Sequence, residues 1–274
     1  MTNPIFRISL ALFASAALLA GCEREGATPA SEAQASQAET AVPGVPVALA
    51  DVVETKPDYI IGITYPQSAA AHPALAQALQ AYGNAARSEL MQAVDGLQGQ
   101  KPSAPYDLSL QFTGLVDMPS IVVVAADGSS YTGGAHGNPL VARFVWLPAQ
   151  RRMLTAEALV PTKAGWQAIS DASREQLMTS LSQRLEGDDL PPADYAGQLQ
   201  SGSKAIADGT APEAANFSQF EPVVDADGRI RALRFVFPSY QVGPYSDGTR
   251  TVDIPASTLL PVIDPQYRSL FRGG

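Results

Sequence analysis

Apolar and polar residues alternate along several short stretches of the chain, and each such stretch predicts a β-strand. The clearest is 106–113, where Tyr106, Leu108, Leu110 and Phe112 share one face, because successive side chains of a strand point to opposite sides of the sheet. Short continuous apolar runs predict more deeply buried strands. The other predicted strands are 59–65, 121–126, 143–147, 217–224, 230–237 and 251–254.

Short polar sequences predict the turns between these strands. Asp127-Gly128 predicts a hairpin in which 129–132 pairs back on the preceding strand, since Asp-Gly suits a two-residue turn. Gln150-Arg151-Arg152 is expected to turn the chain towards Met153 and Leu154, and 225–228 to join the strands on either side of it. Strands joined in this way form an antiparallel meander.

Apolar residues spaced by three and four predict two helices. The first begins at Pro73, where a proline without an N–H is tolerated, and the second ends at Gly187. The segment 190–210, rich in Gly, Pro and Asp, predicts irregular structure. The two apolar stripes are Leu75, Leu79, Tyr82, Ala86, Leu90, Val94 and Leu97, and Trp166, Ile169, Ser173, Leu177, Leu181 and Leu185.

The chain contains two successive blocks, each with a helix and several strands. This order predicts an α+β fold with helices packed on antiparallel sheets. We expect two sequential subdomains, 51–148 and 149–274.

The first 22 residues are typical of a bacterial lipoprotein precursor. Arg7 precedes the apolar run 8–20, which is too short to span a bilayer comfortably but suits a signal peptide. Leu19-Ala20-Gly21-Cys22 resembles a lipobox, so we expect 1–21 to be removed and Cys22 to be acylated. Cys22 is the only cysteine of the chain; the alternative is that it is a buried thiol.

Residues 22–50 predict a disordered tether, because Ala, Ser, Gln, Glu, Thr and Pro dominate and large apolar side chains are few. Glu23 after the acylated cysteine resembles the signal that sorts lipoproteins to the outer membrane. We therefore expect the folded part to be anchored to the outer membrane and to face the periplasm.

The net charge of −9 limits the partners. Removal of 1–21 takes away one basic residue, Arg7, which leaves 17 basic against 27 acidic residues and a net charge of −10. Such a surface repels phosphate backbones and anionic lipids. We expect no nucleic-acid partner, and membrane attachment through acyl chains alone.

Two glycine-containing loops hold the candidate binding residues. In the first, His136 follows Gly133 and Gly134 shortly after Tyr131, and its imidazole either contacts a ligand or merely satisfies neighbouring backbone groups. In the second, Tyr240 and Tyr245 flank Gly243-Pro244. They either form a contact surface or pack, Tyr240 at the end of a core strand and Tyr245 over the next turn.

Candidate chemistry beyond binding is poorly supported. His72 is the only other histidine, whereas zinc usually takes three or four N or S ligands, so we expect no metal and no cofactor. Asp225-x-Asp227-Gly228 resembles the start of a calcium loop but lacks its terminal Glu. No nucleophile motif is present, and no carboxylate pair stands out for glycan hydrolysis.

Three motifs together resemble a family of exported two-part modules. They are Tyr131-Thr132-Gly133-Gly134-Ala135-His136-Gly137-Asn138, the segment 238–248, and Val252-Asp253-Ile254-Pro255. The family includes the extracellular region of the lysozyme-sensing anti-sigma-V factor and the non-catalytic region of the peptidoglycan deacetylase PdaC. The resemblance covers roughly 55–265 and implies an α+β fold in both parts.

What the resemblance implies is a non-enzymatic binding role in the cell envelope, towards lysozyme-like proteins or peptidoglycan. Neither sigma-factor signalling nor deacetylation is expected, because the resemblance extends only to the module. The sequence therefore predicts a lipid-anchored envelope binding module. The alternative is an unrecognised hydrolase that acts on peptidoglycan.

Overall fold

The computed structural model describes residues 48–274. The predicted signal peptide, Cys22 and the tether as far as residue 47 lie outside the described residues. Leu49 is buried, and its carbonyl accepts a hydrogen bond from Gln67 Nε2 at 2.8 Å. The packed structure therefore already includes Leu49, two residues before Asp51.

The first half forms one six-stranded sheet in which strand order follows chain order. A helix, α1 (Pro73–Asp95), connects the second strand to the third and makes this one pair parallel, while the other pairs are antiparallel. The predicted boundary at Pro148 falls between two strands of this sheet. The strands are β1 (Val52–Thr55), β2 (Tyr59–Thr64), β3 (Tyr106–Met118), β4 (Ile121–Tyr131), β5 (Asn138–Leu147) and β6 (Arg152–Met153).

Helix α1 confirms the first predicted apolar stripe. Pro73 is its first residue, and the helix ends at Asp95, so Leu97 lies beyond it. The stripe packs on one face of the sheet, where burial of each large side chain contributes about 1.5–3 kcal/mol. Its buried members are Leu75, Leu79, Tyr82, Ala86 and Leu90.

The predicted hairpin at Asp127-Gly128 is wrong, because β4 continues through these residues to Tyr131. The segment 129–131 pairs with β3 rather than with 121–126. A Cβ at Gly128 would lie only 2.0 Å from Ser109 O of β3. This glycine therefore permits close approach inside the sheet and does not form a turn.

The second half contains three helices, a three-stranded antiparallel sheet and a further helical turn. The hairpin predicted at 225–228 is confirmed: Asp225 Oδ1 accepts hydrogen bonds from the N–H groups of Asp227 and Arg229, both at 3.0 Å. The elements are α2 (Ala156–Leu159), α3 (Lys163–Gly187), α4 (Pro192–Gly209), β7 (Phe220–Val224), β8 (Ile230–Phe237), β9 (Arg250–Pro255) and α5 (Ala256–Leu259).

The prediction of irregular structure over 190–210 is also wrong, since α4 occupies most of this segment. Pro192 stands at the first helical position, where it is tolerated. The helix lies very close to α3 at Gly202, since a Cβ there would lie 2.7 Å from Leu181 Cδ2. Close packing of a small residue thus replaces the wide apolar stripe that would have indicated a helix.

The predicted start of the strand at Phe217 is wrong as well. Phe217 ends a short 3-10 helix, and β7 begins only at Phe220. The ring of Phe217 is buried and stacks on Trp166 of α3, with centroids 5.5 Å apart. Core packing of the ring therefore overrides the strand pattern at this position.

Strands β4 and β5 bury both of their faces over 121–126 and 144–147. On one face, side chains of these strands pack with α1; on the other, they pack with the helices and sheet of the second half. The α+β fold class is thereby confirmed, with two cores that share one sheet. The side chains that pack with α1 are Val122, Val124, Phe144 and Trp146. Those that pack with the second half are Ile121, Val123, Val145 and Leu147.

Polar contacts of Arg143 fix the register between the halves. Its side chain is only 8% exposed, and its Nε donates to Glu221 Oε2 of β7 at 2.7 Å. Its backbone N–H donates to Gln219 Oε1 at 2.8 Å, and its guanidinium also pairs with Asp127 at 3.0 Å. Because a buried ion pair is strongly destabilised when one partner is removed, this contact strongly favours a single arrangement.

Within residues 48–274, none of the helices combines the length and the hydrophobicity that crossing a membrane requires.

We expect the substitution Gly128→Ala to lower the free energy of unfolding by about 1–3 kcal/mol, because the added Cβ overpacks the β3–β4 contact. Urea denaturation of the purified protein measures this loss. Gly62→Ala is the matched control, since a Cβ there meets no atom within 4 Å. Equal stability of the two variants would contradict this role of Gly128.

Candidate functional site

The two loops that the sequence marks as candidate sites lie side by side. The β4–β5 loop (132–137) comes from the first half and the β8–β9 loop (238–249) from the second. They meet because β5 and β7 are held together by Arg143 and Gln219. Residues about one hundred positions apart in the chain thus share one surface.

His136 is the centre of this contact. Its Nε2 lies 2.7 Å from Tyr240 Oη, a hydrogen-bond distance, and its Nδ1 lies 3.2 Å from Gly137 O. Among the described residues, these two groups are its hydrogen-bond partners. The contact with Gly137 O agrees with the backbone interpretation of His136, and the contact with Tyr240 also joins the two loops. Contact of His136 with a ligand stays a prediction.

Tyr245 stacks on the imidazole of His136. Their ring centroids are 3.8 Å apart and the planes differ by 11°. Tyr240 is tilted against both rings, at 5.9 Å from His136 and 5.6 Å from Tyr245. We call this cluster of His136, Tyr240 and Tyr245 the aromatic patch.

Tyr131, Gly133 and Gly134 shape the first loop. Gly133 and Gly134 have φ angles of 97° and 101°, which side-chain-bearing residues rarely adopt. Tyr131 ends β4, and its hydroxyl donates to Gly134 O at 3.3 Å. The tight turn directs the chain so that the exposed His136 reaches the second half.

The second loop is fixed to the end of α4. Gln241 Nε2 donates to Gly209 O at 3.0 Å and to Asn216 O at 2.8 Å. Val242 is buried, and a Cβ at Gly209 would lie 1.9 Å from Gln241 O. These contacts hold the backbone between Tyr240 and Tyr245 in place.

Tyr240 does not end a core strand, because β8 ends at Phe237 and Tyr240 is 58% exposed. Its φ of 75° is a left-handed conformation, which is uncommon for a bulky residue and generally strained. Within the chain, the ring contacts His136 and Tyr245.

The aromatic patch offers the surface chemistry of a binding site. It presents ring surface together with the Tyr240 hydroxyl, and rigid aromatic side chains give contact area at low entropic cost. The hydrogen bonds of His136 go to a phenol and a carbonyl. Across residues 48–274, no three His, Cys, Asp or Glu side chains cluster as metal ligands would.

A cleft that the sequence did not indicate lies beside the patch. It has a volume of about 590 Å³ and is lined by α3, α4, the β8–β9 loop and the start of β9. Arg184 and Arg250 both pair with Asp247 Oδ2 in its wall, Arg250 at 3.3 Å. These three residues are spread over 67 positions, so no local motif could have revealed them.

Asp247 is ionised in this arrangement. Burial alone would raise its pKa, but the hydrogen bonds and positive charges of Arg184 and Arg250 outweigh burial and lower it. Gly243 allows this packing, since a Cβ there would lie 2.9 Å from Asp247 Oδ2. The carboxylate thus holds two guanidinium groups in one wall of the cleft.

Two solved structures align with most of the chain. A protein from Pseudomonas aeruginosa aligns with a TM-score of 0.51 and 17% identity, covering 84% of this chain and 100% of that chain. One from Bacteroides fragilis aligns with a TM-score of 0.49 and 17% identity, covering 80% and 93%. Both are DUF3298 family proteins.

The likeness to the Pseudomonas structure shows a common fold, that of a domain of unknown function. No protein-family model and no curated protein matches the sequence.

The stacking of His136 on Tyr245 generates a spectroscopic prediction. We expect the ring protons of His136 to shift downfield in Tyr245→Leu, because the tyrosine ring current that shields them is lost. Proton NMR of the imidazole signals measures this change. His72 is an internal control, since the chain has two histidines; unchanged His136 signals would mean that the rings do not stack in solution.

Proposed function

We propose that this protein is a lipid-anchored binding module of the bacterial cell envelope, and that a lysozyme-like protein docks on the aromatic patch. The observation that carries the proposal is the contact of His136 with Tyr240 and Tyr245. This contact joins two loops from different halves of the fold. The same loops hold the motifs that resemble the lysozyme-sensing module. The binding surface then exists only in the assembled fold.

Charge supports a protein partner over the wall polymer. The chain has a net charge of −9, and an acidic surface accelerates association with basic proteins. An acidic polymer such as peptidoglycan, with its peptide carboxylates, gains no such attraction. Exposed aromatic residues in rigid loops are typical of the energetically dominant positions of protein interfaces.

The anchoring part of the proposal rests on Leu19-Ala20-Gly21-Cys22. Two acyl anchors or more give stable attachment, because each buried CH₂ contributes about 0.8 kcal/mol. The acidic residues of the mature chain contribute nothing to binding anionic lipid. Acylation at Cys22 and outer-membrane sorting through Glu23 would place the aromatic patch in the periplasm.

We expect cells that express the wild-type chain to incorporate an alkyne-tagged palmitate into this protein, and cells that express Cys22→Ala not to do so. The variant has no cysteine left and therefore no thiol to acylate. Gel fluorescence after click labelling measures the incorporation. Labelling of the variant at the wild-type level would refute the lipid anchor.

We expect the purified protein to capture lysozymes saturably, and His136→Ala and Tyr245→Ala each to weaken capture about tenfold, which corresponds to ~1.4 kcal/mol. Surface plasmon resonance against a panel of lysozymes measures the affinity, with sedimentation onto purified peptidoglycan in parallel. Circular dichroism establishes that each variant is folded.

Leu115→Ser is the matched control, because Leu115 is a 45% exposed apolar residue of β3 outside the patch. Wild-type affinity in both patch variants would refute docking on the patch. Binding of peptidoglycan without binding of any lysozyme would identify the wall, and not a protein, as the partner. Release of soluble glycan fragments would instead favour the hydrolase alternative.

A further inference from the structure

The cleft between α3 and α4 has the size and lining of a small-molecule site. Its volume of about 590 Å³ falls in the range of ~300–1,000 Å³ that ligand pockets occupy. Apolar side chains form one part of the lining and charged groups another. The larger apolar residues that line it are Leu177, Leu181, Ile206, Val242 and Pro244.

The charged part of the cleft carries an excess positive charge. Arg184 and Arg250 each carry a positive charge, and Asp247 neutralises only one of them. Asp247 Oδ2 contacts Nη1 of Arg184 and Nη2 of Arg250, and each guanidinium has five N–H donors. A carboxylate has only about four acceptor positions, so Asp247 cannot occupy all the donors of two guanidiniums.

This local charge contrasts with the rest of the molecule. The chain as a whole has a net charge of −9, so the cleft, with one uncompensated guanidinium, differs in charge from the average surface. The side chains of Arg184 and Arg250 are about one-third exposed, at 33% and 36%, and both line the cleft. Ser180, Ser201 and Thr249 add hydroxyl groups to the lining.

We propose that this cleft binds a singly charged carboxylate carried on a short, partly apolar body, such as the carboxyl terminus of a peptide or a small organic acid. The carboxylate pairs with Arg184 and Arg250, and the body packs on Leu177, Leu181 and Ile206. A monoanion makes the two guanidiniums and Asp247 neutral overall, whereas a dianion leaves an excess negative charge next to Asp247.

The position of Asp247 supports this assignment. The carboxylate of Asp247 packs against Gly243 and holds both guanidiniums in place before a ligand binds. Preorganised donors bind more tightly, because less side-chain entropy is lost on binding. The site does not depend on the aromatic patch, although the β8–β9 loop contributes to both.

The test compares two neutral-bodied probes that differ only in the charged group. N-acetyl-alanyl-alanine carries a terminal carboxylate, and its C-terminal amide does not. We expect isothermal titration calorimetry of the purified protein to give at least about tenfold tighter binding of the acid, as charge-assisted hydrogen bonds require. Equal affinity of acid and amide would overturn the proposal without any variant.

Arg250→Gln and Arg184→Gln are each expected to weaken binding of the acid about tenfold or more. Lys204→Gln is the matched control, because it removes the same charge from α4 at an exposed ion pair with Asp208, outside the cleft. An equal loss in Lys204→Gln would show non-specific attraction and overturn the site. Thermal unfolding establishes that the variants are folded.

Two further ligands identify the source of the carboxylate. Hexanoate binding as tightly as the dipeptide would support the site and point to small organic acids, while preference for the dipeptide would support it and point to peptide termini. Inorganic phosphate binding more tightly than either would overturn the monoanion assignment.

Discussion

The structure depends on the burial of both faces of β4 and β5. Alternate side chains of these strands belong to two cores, one completed by α1 and the other by the second half of the chain. Because a strand with two apolar faces must be covered on both sides, the second half cannot swing freely. Arg143, paired with Glu221 across the junction, then selects one register.

The candidate site follows from this constraint. Neither loop alone holds the aromatic patch, since His136 belongs to one half while Tyr240 and Tyr245 belong to the other. The tight glycine turn and the contacts of Gln241 place the rings in contact. The proposed binding function is thus a property of the assembled module, and partial unfolding at the junction would remove it.

Periodicity predicted those elements whose apolar residues face a core in a regular way. The stripe of α1 and the strands β2 and β8 are examples. Helix α4 was not predicted, because Gly202 packs at a position where a large apolar residue would have indicated a helix. Gly128 was misread because its pairing with β3 is a long-range contact. For the same reason, the sequence indicated His136, Tyr240 and Tyr245 singly but did not indicate their contact, or the cleft at Arg184 and Arg250.

The most direct test of the account is to map the surface that a partner covers. Amide hydrogen exchange followed by mass spectrometry, with and without a lysozyme that the protein captures, measures protection along the whole chain. We predict joint protection of 132–137 and 238–249, with the outer face of α1 unchanged. Protection confined to one of the two loops, or to a surface that contains neither, would contradict it.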